Sequence, residues 1–181
     1  MITNNTISIC LTWPQYLAQW YAHDMYRAEH AEDESLPPYV YRCDVPAGML
    51  EIVETRRGSI ERNILEMTLS KPEKDYTEPV PDNATIRIAL PCFAAKPPTV
   101  YNCLKPASQI LLEQAVRNRF RIELNKYLTK VYLANRTTID AAITAFMQNN
   151  GIEVSDRNYN AIKKIWCRLQ GCRKMREYRK K

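Results

Sequence analysis

PASQILLEQAVRNRFRIELNKYLTKVYL, residues 106–133, is the longest periodic stretch of the chain. Ile110, Leu111, Val116, Phe120, Leu124, Tyr127, Leu128, Val131 and Tyr132 recur at helical spacings, which gathers them on one face of an α-helix. At 3.6 residues per turn the face lasts about seven turns. A helix of that length is the spine against which the rest of the chain packs.

Downstream, Asn135 to Thr138 interrupt the pattern, and Thr137 or Thr138 supplies a cap oxygen for a helix carrying Ile139, Ile143, Phe146 and Met147. Asn150-Gly151 closes it with a residue that tolerates positive φ. A last helix starts at Ser155 or Asp156, turns Tyr159, Ile162, Ile165, Trp166 and Leu169 inward, and loses its strong pattern at Gly171. Three helices with a basic last member are a common way to present side chains to DNA. The link from Asn150 to Ser155 is longer than the turn of a standard helix-turn-helix.

Upstream the elements are shorter. ATIRIAL, residues 84–90, alternates as a strand with Ala84, Ile86, Ile88 and Leu90 on one face. Residues 6–11 suit another strand, and Tyr39–Cys43 and Met49–Val53 two more about a Pro46-Ala47-Gly48 turn. Ser59 caps a helix over Ile60, Ile64, Leu65 and Leu69, the β-branched residues leaving a strand as the rival reading. Thr12 and Pro14 open a helix to about Tyr26, whose Trp13, Tyr16, Leu17, Trp20, Tyr21 and Met25 form one broad face. The acidic run EHAEDE at 29–34, before Pro37 and Pro38, reads as an exposed connector. The expected fold is α+β: a small irregular sheet with helices over 1–105, a helical part over 106–172 with one long helix and two shorter ones, and a basic tail over 173–181.

Charge is where the function reading begins. From Lys163 onward nine basic residues face one acid, a local charge of +8 in a chain of net +6, so the preceding residues sum to −2. A polyanion is the partner such an end holds best, because each neutralised phosphate releases counterions. On the last helix the outward set is read as Arg157, Asn158, Asn160, Lys163, Lys164 and Arg168. Lysine and arginine hold phosphates, and arginine or amide groups also reach base edges. Arg173, Lys174, Arg176 and Arg179 extend the phosphate set. The plain alternative is a solvated helix face with a frayed tail. A second basic run, Arg117 to Arg121, is read as surface charge pairing with Glu113 and Glu123.

Other classes find little support. No run of about 18 apolar residues can span a membrane, and the first residues lack the pattern of a secretion signal, so a cytoplasmic location and six reduced cysteines are expected. Gly48, Gly58, Gly151 and Gly171 stand alone, so no phosphate loop or dinucleotide fingerprint occurs. His23 and His30 are the only histidines and form no triad by themselves; His23 is read as a helix-surface residue. Cys167 and Cys172 lack a nearby His to complete a zinc quartet. No catalytic set, cofactor or metal is expected.

RGSIERNIL, LEQAVRNRFRIELNKYL and ITAFMQNNGIEVSDRNYNAIKKIWCRL resemble segments of small uncharacterised proteins of prophages and mobile elements in Bacteroides-type bacteria. The resemblance covers the middle and C-terminal portions and transfers no catalytic residue. It implies an intracellular accessory protein in a setting where DNA handling and gene control are frequent tasks. The expectation is therefore a non-catalytic nucleic-acid-binding accessory or regulatory protein, with DNA the foremost partner. The alternative is an assembly component that pairs with another subunit, or with its own copy, through the aromatic N-terminal helix (Trp13, Tyr16, Trp20).

Overall fold

A computed structural model describes residues 6–30, 39–73, 80–135 and 137–178, with backbone alone at 132–135 and 172–178. The fold is α+β, as expected. Its elements are β1 (Ser8–Leu11), α1 (Gln15–Glu29), a short 3-10 turn (Ala47–Met49), β2 (Ile52–Val53), α2 (Ile60–Thr68), β3 (Ile86–Ala89), α3 (Pro106–Asn135), α4 (Ile139–Asn149) and α5 (Asp156–Tyr178). Most of the 29–34 connector and Arg179 fall outside the described residues.

The alternating 84–90 segment became the middle strand of a three-stranded sheet ordered β1-β3-β2. β1 runs antiparallel to β3, with Ile9 opposite Ile88 and Leu11 opposite Ile86. β2 runs parallel to β3, with Val53 also beside Ile88. Apolar alternation on the central strand thus meets apolar residues on both neighbours, the cross-strand pairing that stabilises a sheet. Tyr39–Cys43 does not form the expected strand. Tyr41 instead reaches the sheet through its side chain: its hydroxyl donates to the Glu51 carbonyl (2.9 Å) and accepts the Arg87 N–H (3.2 Å).

Local signals account for most helix boundaries. Ser59 Oγ accepts the Arg62 N–H and Thr138 Oγ1 the Ala141 N–H, each an N-cap bond. The helix reading of Ile60 onward holds; α2 ends at Thr68, where the Lys96 ammonium donates to the Met67 and Leu69 carbonyls. Thr12 does not cap α1; it donates to Asn83 instead, and Pro14 occupies the cap position.

α1 departs most from its expected role. Its aromatic face is buried, but so are Ala18, Gln19, Ala22 and His23, so the helix is enclosed on nearly every side. Trp13, Tyr16 and Trp20 are at most 5% exposed. The surface proposed for pairing with another subunit is the protein's own core, and His23 is not a surface residue. Trp20 meets Phe120 edge-on at 5.4 Å, and Tyr16 lies 5.1 Å from the same ring.

In α3 the buried stripe is Leu112, Val116, Phe120, Leu124 and Leu128, not Ile110 and Leu111, which are half exposed. Steps of four residues overshoot the 3.6-residue turn by about 40°, so the stripe winds slowly around the helix. Different elements therefore cover successive portions, and α1, α2, α4 and α5 all pack on α3. One continuous core results, with buried residues from β1 through α5 on both sides of residue 105.

One glycine decides chain direction at the end of α4. Gly151 takes φ of +62° and ends α4, with the Ile152 N–H returning to the Met147 carbonyl at 2.9 Å. A Cβ there would lie 2.4 Å from the Tyr39 carbonyl oxygen and 2.6 Å from His23 Nδ1, so the bend and the close packing both need glycine. Gly171 ends nothing: α5 runs through it to Tyr178. Its cost inside a helix, about 1 kcal/mol against alanine, is small beside the contribution of good helix formers on either side.

Candidate nucleic-acid interface

The site begins with how α5 is anchored. Gln19 on α1 is 2% exposed, and its Oε1 accepts the Glu153 N–H (3.1 Å) and Asn158 Nδ2 (3.3 Å), while its Nε2 donates to the Tyr41 carbonyl (3.3 Å). Asn158 Nδ2 also donates to the Glu153 carbonyl at 3.1 Å. Gln15 Nε2 reaches Glu153 Oε2 at 2.7 Å. A buried amide without partners is costly, so these bonds fix the first turn of α5 on α1.

That network corrects one expected contact. Asn158 is 1% exposed and faces the core, so it is not available for a base. It stands four residues before Ile162 and eight before Trp166, which places it on the inward stripe.

Lys163 is partly spent as well. Its ammonium donates to Asp140 Oδ1 (2.9 Å) and to the Tyr159 hydroxyl (3.0 Å), and that hydroxyl donates to the same carboxylate. These bonds raise the Lys163 pKa and lower that of Asp140.

The remaining candidates share a face. Arg157, Asn160, Lys164 and Arg168 are all exposed and follow each other at three, four and four residues, one stripe along the helix. Among the described residues no carboxylate pairs with Arg157, Lys164 or Arg168. Asn160, Lys163, Lys164, Cys167 and Arg168 line a shallow depression of about 420 Å³. From Arg157 to Arg168 the stripe spans about 16 Å at 1.5 Å per residue. Beyond it the α5 backbone continues through Arg173, Lys174 and Arg176, whose side chains are not among those described.

The other basic run is differently employed. Arg117 donates to Glu113 through Nε at 2.7 Å, as expected. Arg119 turns inward: it binds Asp24 of α1, approaches Glu61 Oε1 of α2 to 3.2 Å, and lies over the Trp20 ring at 5.2 Å. Glu61 is 1% exposed, and nothing in the sequence around it announces this burial. Arg121 remains exposed.

A cleft of about 650 Å³ opens where α5 begins. It is bounded by the turn between β1 and α1, by residues 43–46, by the turn leading to β3, and by Arg157. Burial pushes the Cys43 thiol up to about 12, so this cysteine offers no thiolate at neutral pH. Cys10, Cys43, Cys92, Cys103 and Cys167 are free. Among the described residues no group of three or more His, Cys, Asp or Glu side chains is arranged to hold a metal ion, and no helix is long and apolar enough to cross a membrane.

His23 lies against the Tyr39 carbonyl with Nδ1 at 2.9 Å, so Nδ1 is the donor. Burial keeps its pKa below the ordinary 6.5, against the opposing pull of backbone carbonyls. No family model matches the chain, and no curated protein or solved structure is significantly similar to it.

Proposed function

We propose that this protein binds nucleic acid, with DNA its foremost partner, and does no chemistry on it. The grip is the outer face of α5: Arg157, Lys164 and Arg168 hold phosphates, Asn160 supplies an amide beside them, and Arg173, Lys174, Arg176 and Arg179 follow in the sequence. Lys163 contributes less, because Asp140 already competes for it. The reading is supported above all by the exposed α5 stripe, whose cations have no carboxylate partner among the described residues. Unspent cations along one helix face are what a phosphate backbone displaces counterions to meet. The resemblance to mobile-element proteins fits an accessory or regulatory role in the cytoplasm.

Binding of labelled DNA measured over a series of salt concentrations tests this. Each phosphate-contacting cation contributes about one to the slope of log K against log salt. Lys164→Ala with Arg168→Ala is expected to lower the slope by about two, and truncation after Gly171, which removes six basic residues, to lower it further. Unchanged affinity in both variants would remove α5 as the contact surface.

A further inference from the structure

Arg157 belongs to two places at once. It is the first cation of the α5 stripe and also a wall of the 650 Å³ cleft. The Gln19 network holds the first turn of α5 in that position, so the junction between stripe and cleft is built rather than incidental. The volume falls within the range of about 300–1,000 Å³ common for small-ligand sites.

The cleft's chemistry differs from the stripe's. Several of its polar groups are already used: Thr85 Oγ1 donates to the Trp13 carbonyl and accepts the Trp13 N–H, both at 2.8 Å, and Thr12 donates to Asn83 Oδ1 at 3.2 Å. What remains are the exposed carboxylates of Asp44 and Asp82, the amide N–H groups of Asn83, and the Arg157 guanidinium. Asp44 has only a loose, solvent-exposed pairing with Arg42 at 3.8 Å. Two carboxylates repel a phosphate but accept N–H groups. Val45 and Pro46 add an apolar wall. A flat heterocycle with ring and exocyclic N–H donors, joined to an anionic chain, meets all of these demands: carboxylates for its N–H edge, Asn83 for a carbonyl, and Arg157 for the adjoining phosphate.

We infer that the cleft takes an unstacked nucleobase from a single strand whose phosphates follow the α5 stripe. A paired base has its hydrogen-bonding edge already used and cannot reach such a pocket without being extruded. The inference rests on the reading of α5 as a phosphate-binding face, and it adds a preference for single strands.

Three probes separate the two claims: an unstructured single strand of about 12 nucleotides, a hairpin in which that strand is paired with its complement, and the same strand with most bases replaced by abasic sugars. The single strand is expected to bind about tenfold more tightly than either of the others, the discrimination one good edge contact supplies. Asp82→Ala with Asn83→Ala should abolish that advantage while leaving hairpin affinity unchanged; a thermal melt confirms that the variant folds. Equal, salt-dependent binding of all three probes by the wild-type protein would overturn the cleft inference and leave the α5 reading standing. Absence of salt-dependent binding to every probe would overturn both.

Discussion

Arg119 and Arg168 are the same side chain put to opposite uses. At the junction of α1, α2 and α3, Arg119 lies between Asp24 and Glu61 with its guanidinium over the Trp20 ring. On the outer face of α5, Arg168 faces solvent beside Lys164 without a carboxylate partner among the described residues. Local sequence does not separate them, since each sits in a basic helical run. What separates them is where the acids of distant elements come to rest. A cation enclosed by the protein's own carboxylates serves folding, and one left without them is free for an external anion.

Substitution can break that contrast. Arg119→Ala strands the Glu61 carboxylate in the core, and losing one partner of a buried pair typically costs 3–5 kcal/mol. Because Arg119 is about a third exposed, the lower end, about 3 kcal/mol, is expected in denaturant unfolding. Arg168→Ala should stay within about 0.5 kcal/mol by the same measurement while weakening DNA binding. Equal destabilisation by both would erase the distinction.

Asn158→Ala sharpens the contrast on α5 itself. If the side chain is a tether rather than a reader, the variant loses about 1–3 kcal/mol of stability and keeps its salt slope. Asn160→Ala, on the outer face, should stay within about 0.5 kcal/mol in stability and weaken binding without changing the salt slope, because a neutral amide displaces no counterion.

A subtler effect comes from His23. Its folded-state pKa lies below 6.5, so the folded state binds fewer protons than the unfolded chain near that pH. The stability it contributes is fully present above pH 6.5 and declines as pH falls below it. Glu123, whose pKa burial raises, acts in the opposite sense at lower pH. The difference between wild type and His23→Gln isolates the histidine: unfolding free energy measured at pH 7.5 and 5.5 should fall more in the wild type. Ser59→Ala or Thr138→Ala, each removing one cap bond, should cost about 1 kcal/mol in the same unfolding measurement.

The sequence signals that proved legible are those whose cause is local. Ser59, Thr138 and Gly151 mark helix ends through bonds to neighbours a few residues away, and the 84–90 alternation identifies the central strand without reference to its partners. What was hidden depends on distant chain. The all-round burial of α1 needs the 39–41 segment and the loop after α4, and Tyr41 meets the sheet through its hydroxyl rather than as a strand. At the candidate site the exposed Arg157, Asn160, Lys164 and Arg168 are recoverable from periodicity. Asn158 is polar, yet it stands four residues before Ile162, and that spacing rather than its polarity sets its inward direction. Lys163 could not be known to meet Asp140, because that contact depends on how α4 packs on α5.

The Gln19 tether has a consequence for biosynthesis. Its partners, Glu153 just before the last helix and Asn158 within it, are 134 and 139 residues further along the chain, so that length must be synthesised before α1 can be sealed. At about 5–20 residues per second that interval is on the order of ten seconds. Until Phe120 emerges to meet Trp20 and Tyr16, the nascent chain carries an uncovered row of tryptophan and tyrosine, the kind of surface that general chaperones recognise.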